Sequence, residues 1–255
     1  MLSSVQSALV VILAVAASLL LVALLNRLWP SDNRKLLNDV TGWQLGVLGT
    51  TYGVILGFML YTVWQGFSAA QIDANLEATS MLNVYRLAEA LPPPQRQAMQ
   101  DLARKYEAAV VEEEWPAMAR QTEDRAAAVV LGKMWKVLAA VNLDSTTTGN
   151  SVDHIQYAMG DLAERRNMRD HQRTNQLPGL LWLLLVLGGA ATIVSSCILG
   201  NDKRWLHYCQ VGALTFVIIT ALAGIADLAR PYQGAVAVEP SAFIRALQSM
   251  QEPTQ

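Results

Sequence analysis

Arg166, Arg169 and Arg173 recur at three- and four-residue spacing, which places their guanidinium groups on one stripe of a helix. The stripe begins upstream with Ile155, Met159 and Leu162 in heptad-like register, so one face turns from apolar to cationic as the chain nears an apolar segment. Asp73 and Glu77 lie a comparable distance beyond a second apolar segment. If the two polar helices run antiparallel, these acids and arginines meet at one height. Two chemistries suit the pattern. One is interhelical salt bridging; the other is a cationic vestibule that concentrates anions at a pore mouth.

Other reactive residue types form no constellation in the sequence. His154, His171 and His207 are scattered, with no second histidine or cysteine at ligand spacing. Phosphate-binding glycine loops and nucleophile motifs are missing. The acidic run Glu112-Glu113-Glu114 reads as a solvated helix face, because a cation cage needs ligands from several directions. Neither an enzyme, a metal site nor a cofactor is expected. A net charge of −2 implies nothing about nucleic acid, but no basic patch interleaved with aromatics appears and no nucleic-acid partner is expected; 16% charged residues suit a largely lipid-embedded chain. Cys197 and Cys209 lie near the two ends of a short loop, so a disulfide is open to them in an oxidising compartment. The other reading is two buried thiols acting as small apolar residues.

The elements that position these residues follow from hydropathy. Segments near 8–28, 45–67, 180–199 and 206–228 each hold roughly 20 almost uncharged residues, enough to cross ~30 Å of hydrocarbon. The first lacks a basic leading region and is too long for a signal-peptide core, so it reads as a retained helix. The expected fold is an all-α membrane protein with four transmembrane helices and a long helical extramembrane region between the second and third. Its parts are a helix pair over 1–67, the helical region over 68–177, a second pair over 178–229 and a tail over 230–255. Within the middle region, 68–91 extends the second membrane helix to Pro92-Pro93-Pro94. Helices follow over 95–121, with Pro116 kinking its end, and over 123–143; after a linker at 144–150 a last helix starts at Ser151.

Even-numbered crossings put both termini and the middle region on one side. Arg27, Arg34, Lys35, Lys203 and Arg204 on one face nearly balance the arginines on the other, and the middle region is taken as cytoplasmic. Asp227 would be expensive facing lipid and is expected to be a structural anchor, with Arg230 as its partner at i, i+3. Pro231 and Gly234 then stop the helix and turn the chain.

The second membrane segment carries Gly42, Gly46, Gly49, Gly53 and Gly57 on one narrow stripe, continued by Leu60 and Trp64. Small residues so spaced let two helices approach closely. In a ring of identical subunits the same stripe faces the axis, and Gly53, Gly57, Leu60 and Trp64 line an apolar constriction able to gate by dewetting. A rotated helix would present Leu56, Phe58 and Tyr61 instead.

Several stretches carry a family resemblance. Asn38-Asp39-Val40-Thr41-Gly42, then Gly49-Thr50-Thr51-Tyr52-Gly53-Val54-Ile55-Leu56-Gly57-Phe58 and Val63-Trp64, resemble the signature of a bacterial family termed bestrophin-like. Glu77-Ala78, Tyr85-Arg86, Tyr106, Glu114-Trp115-Pro116, the arginines at 166 and 169, Pro178 to Trp182 and the Asp227…Pro231-Tyr232-Gln233-Gly234 ending extend it over nearly the whole chain.

More distantly, the order of elements resembles true bestrophins, which are pentameric anion channels with a pore lined by the second helix. The resemblance implies a multi-pass protein of the bacterial inner membrane, a homo-oligomer such as a pentamer, surrounded by lipid and passing inorganic anions. The acidic calcium-binding cluster of animal bestrophins has no counterpart at 227–239, so calcium gating is not implied. The competing reading is a non-conducting scaffold or sensor whose helical region binds a protein. A transporter finds no support in an internal repeat or a broken membrane helix.

Overall fold

The computed structural model describes residues 4–142, 146–174, 177–234 and 236–252, and no strand occurs among them. The chain forms two compact units, one running to Gln65 and resuming up to Ala229, the other taking Gly66 through the mid-chain and everything from Arg230.

The first unit contains α1 (Ser4–Leu28), the short α2 (Ser31–Lys35), the start of α3 (Asn38–Leu87), α8 (Gly179–Ile198) and α9 (Arg204–Leu228). Helices α1, α3, α8 and α9 are the four that are long and apolar enough to cross a membrane. Leu9, Ile12 and Leu20 of α1, Leu187 of α8 and Phe216 of α9 are exposed, as suits helices solvated by lipid. Inside, Met59 and Val63 of α3 pack with Leu185 and Ile225, and Val22 packs with Cys197 and Val211.

Two close approaches need glycine here. Tyr52 lies across Gly188 and Gly189, where added Cβ atoms would fall 2.6 Å from its ring and 2.9 Å from its hydroxyl. That hydroxyl donates to the Leu185 carbonyl at 3.0 Å. At Gly200 a Cβ would fall 2.6 Å from the Ser31 carbonyl oxygen and 2.7 Å from the Lys35 nitrogen, both main-chain atoms. The Asn38 amide brackets this residue, donating to the Gly200 carbonyl at 2.8 Å and accepting from its N–H at 2.9 Å. Gly200→Ala must therefore shift backbone. A loss of about 1–3 kcal/mol is expected, read as a lowered Tm of the detergent-solubilised protein. An unchanged Tm would mean that the two loops move apart freely.

The second unit takes the rest of α3 with α4 (Pro93–Ala109), α5 (Trp115–Ala119), α6 (Ala126–Ala139), α7 (Thr146–Thr174) and α10 (Ser241–Gln251). Helix α3 is unbroken over 50 residues, so the membrane segment does continue as a polar helix. It ends in a 3-10 turn at Ala88–Ala90, and prolines then open α4, where the missing N–H costs nothing.

Three expectations are corrected. The helix expected over 95–121 runs from Pro93 to Ala119, but through a π-turn at Val110–Glu114, and the one expected from 123 begins at Ala126. Helix α7 starts at Thr146, five residues before Ser151, so part of the expected linker is helical, while 144 and 145 lie outside the described residues. The tail is not an appendage. It carries α10, whose Phe243, Ala246 and Met250 are buried in the second unit. Tyr85 and Arg104 both donate to the Met250 carbonyl, at 3.1 and 3.2 Å, satisfying the end of α10.

Candidate functional site

In the first unit the glycine stripe of α3 is uncovered. A Cβ built at Gly42, Gly46, Gly49, Gly53 or Gly57 meets nothing within 4 Å. Close packing inside the protomer is therefore not what these glycines serve. Leu60, Tyr61 and Trp64 are also exposed, at 38%, 58% and 53%. Leu56 differs: it packs against the Met59–Val63–Leu185–Ile225 cluster and so belongs to the side facing α8 and α9.

In the second unit the arginine stripe turns inward. Asp73 bonds Gln172, Glu77 bonds Arg169 and Ser80 bonds Asp161, an opposite order that makes α3 and α7 antiparallel, as expected. Arg169 is 3% exposed and Glu77 is fully buried. Arg169 grips Glu77 through Nε at 2.7 Å and Nη2 at 3.0 Å, and the same Nη2 reaches Glu114 at 2.8 Å. Arg166 holds Glu114 with both Nη groups at 2.7 Å. Tyr106 donates to Glu77 at 2.6 Å, and Glu114 accepts the Ala127 N–H at 3.2 Å in the first turn of α6. The guanidinium of Arg169 also lies 5.6 Å from the Trp115 ring centroid and 5.9 Å from that of Phe243.

Of the five residues expected to act together, then, Glu77 and Arg169 pair directly. Arg166 pairs with Glu114 instead. Arg173 takes Asp170, one turn away on its own helix, at 2.9 Å, and Asp73 takes Arg165 at 3.3 Å. Within the protomer these charges are engaged in salt bridges.

The local sequence explains how Glu114 joins. Pro116 cannot donate to a carbonyl four residues back, and its ring crowds that position. The chain answers with a π-turn over Val110–Glu114, in which the Trp115 N–H bonds Val110, five residues earlier. Within the widened turn Glu112 and Glu113 remain exposed, whereas Glu114 is 3% exposed. The acidic run is thus a solvated face for two residues and a core ligand of arginine for the third. Trp115 turns inward beside it, donating to the Val238 carbonyl at 3.1 Å and meeting Tyr232 edge-on at 5.5 Å.

Electrostatics follow from burial and pairing. Burial by itself pushes the Glu114 carboxyl up, yet its bonds to Arg166 and Arg169 hold it below the ordinary value. Glu107 goes the other way: burial, then the nearby Glu77 carboxylate, push it up to about 9 against the pull of Arg169. Neither carboxyl oxygen of Glu107 has a hydrogen-bond partner among the described residues. Two arginines thus face Glu77 and Glu114, and Glu107 holds its proton at neutral pH.

Sequence reasoning passed over Glu107, although a signal existed. Met99, Ala103 and Glu107 sit at i, i+4 and i+8 on the apolar face of α4, and all are buried. The remaining expectations concern single residues. Asp227 makes no ion pair among the described residues, so the expected pairing with Arg230 does not form. Helix α9 stops at Leu228; Pro231 lies in the turn that follows, and Gly234 adopts φ 95°, a left-handed conformation. Both cysteines are free, Cys197 buried and Cys209 exposed. His207 is buried and within 3.1 Å of the Ser196 carbonyl, a core contact between α9 and α8.

Four apolar helices, no strand among the described residues and a helical extramembrane unit tied by buried ion pairs define a polytopic helical membrane protein. Residues 12–243 match the model of the Bestrophin-like domain, and the chain belongs to that family. Solved structures share the fold. A crystal structure of a bacterial bestrophin homologue from Klebsiella pneumoniae, in a single-substitution variant, superposes with a TM-score of 0.75 at 10% identity, covering 95% of this chain and 99% of that one. The same homologue solved by zinc phasing gives 0.69 at 13% identity, with the same coverage. A further membrane-protein crystal structure gives 0.73 at 13% identity, covering 95% and 100%. No curated protein matches the sequence.

Proposed function

We propose that this bestrophin-like protein assembles as a homo-oligomer, of which a pentamer is one form, and conducts ions along a path lined by α3. One observation carries the reading: on the face of α3 bearing Gly53 and Gly57 an added Cβ meets nothing within 4 Å, and Leu60, which continues the stripe, is exposed. A stripe of bare glycine backbone is costly in a helix and gains from close approach to copies of itself or from framing a narrow path. Leu60 and Trp64, with Tyr61 beside them, are then the apolar constriction. Leu56 is not assigned to the path, since it packs inward.

Inorganic anions are the proposed permeant ions, on the resemblance to true bestrophins. Arg166 and Arg169 do not supply that preference, because Glu77 and Glu114 neutralise them. The protein is placed in the bacterial inner membrane with the second unit cytoplasmic. Purified protein reconstituted in planar bilayers is expected to carry current, and Leu60→Ala or Trp64→Ala to change conductance several-fold. A chloride gradient then reads the selectivity from the reversal potential. Silent bilayers with intact oligomers across a range of salts would overturn the reading.

The second reading is a non-conducting scaffold or sensor whose helical unit binds a protein. It is favoured by one fact, the acidic partner inside the protomer for each of Arg166, Arg169 and Arg173. On that reading the arginine variants impair assembly and leave no current to measure.

A further inference from the structure

Arg34, in α2, is the one buried arginine among the described residues that has no carboxylate partner. It is 1% exposed and sits where the loop between α1 and α3 meets the C-terminal end of α8. Its Nη1 donates to the Cys197 carbonyl at 3.0 Å and its Nη2 to the Asn26 side-chain oxygen. Both acceptors are neutral. Among the described residues neither the Nε–H of Arg34 nor the Nδ2 amide of Asn26 finds an acceptor, although both atoms are buried. These two donors flank a single hydrogen bond, from Arg34 Nη2 to Asn26 Oδ1. Both donors therefore belong to one hydrogen-bonded pair of side chains.

A guanidinium stays charged throughout the accessible pH range. Buried without an opposing charge it is costly, and the end of α8 offers partial negative charge only. An uncharged acceptor would satisfy the two donors and leave the charge uncompensated. An anion does both. The unpaired groups are N–H donors of Arg34 and Asn26 at a place closed off from solvent, so a small anion suits their chemistry and a bulky organic one does not. We infer that Arg34 and Asn26 form a halide-binding site that locks the α1–α3 loop onto the end of α8, a stabilising site separate from the proposed ion path.

The test compares thermal unfolding of the full-length, detergent-solubilised protein in sodium chloride, sodium bromide and sodium gluconate at equal ionic strength. At chloride about tenfold above its Kd the folding equilibrium constant should rise about tenfold, raising Tm by about 4 °C over gluconate. Asn26→Asp places a carboxylate against the guanidinium and should remove the chloride response while holding Tm in gluconate at or above the wild-type value. Arg34→Gln should also lose the response; should that variant fail to fold, Asn26→Asp still decides. Leu60→Ala, altered in the proposed ion path, should keep the response in full. A wild-type Tm that ignores the identity of the anion would overturn the inference. So would a chloride response retained by Asn26→Asp, or one seen only near molar salt, which marks an adventitious ion.

Discussion

Arg169→Met is expected to destabilise the helical extramembrane unit by about 3–5 kcal/mol. The size follows from what the arginine leaves behind. Glu77 would keep only the Tyr106 hydroxyl, and Glu114 would keep Arg166, so a fully buried carboxylate would lose its counter-charge. Arg169→Lys should fall between wild type and Arg169→Met. An ammonium restores the charge but cannot grip Glu77 through two nitrogens while reaching Glu114, nor stack broadly over Trp115. Denaturant unfolding followed by circular dichroism offers the readout. The pair Arg169→Met with Glu77→Met should be less damaging than Arg169→Met alone, because no unpaired charge is then buried. A cost below about 1 kcal/mol for Arg169→Met would mean that the pair behaves like a solvated surface bridge.

Glu107→Gln is expected to stabilise the protein at and above neutral pH. The folded state holds the Glu107 proton up to about pH 9, whereas an unfolded glutamate releases it near the ordinary value of 4.5. Between those values the folded state binds the extra proton, so stability falls as pH rises, by about tenfold in the folding constant per pH unit. Above about 9 both states are ionised and the slope ends. Glutamine mimics the protonated acid and has no proton to lose. The difference in stability between wild type and Glu107→Gln should therefore be small near pH 4.5, grow steadily with pH, and level off near 9. Taking the difference cancels opposing contributions such as Glu114, whose depressed value adds stability that is lost as pH falls. A pH-independent difference would show that Glu107 is ionised in the folded protein.

Both results turn on residues that differ in how far the sequence announced them. Arg169 and Glu77 were legible, because a heptad row that changes from leucine to arginine can face only a partner or water, and acids stood at the matching height. Glu114 was not. Its inward turn depends on a π-turn forced by Pro116, which shifts every later side chain from the positions that regular helical spacing assigns. Glu107 carried the right spacing, but one carboxyl on an apolar face acquires meaning only when its neighbours are known. The tail was misjudged for the same reason. Phe243 and Met250 mark an amphipathic helix, yet the surface that buries them is built from distant parts of the chain.

The glycine stripe divides the two kinds of knowledge cleanly. Hydropathy and periodicity are properties of neighbouring residues, so the sequence by itself determined four apolar helices, the unbroken passage of α3 out of the apolar segment and the single face on which its glycines lie. Which faces are covered is a property of pairs far apart in the chain. Tertiary structure alone decided that the packed glycines are Gly188, Gly189 and Gly200, while Gly42 to Gly57 stand uncovered. It likewise decided that Arg166 and Arg169 are spent on Glu114 and Glu77 rather than left to a passing ion. A helix can be read from local spacing because its hydrogen bonds close within one turn, whereas a partner can be read only from the fold that brings it near.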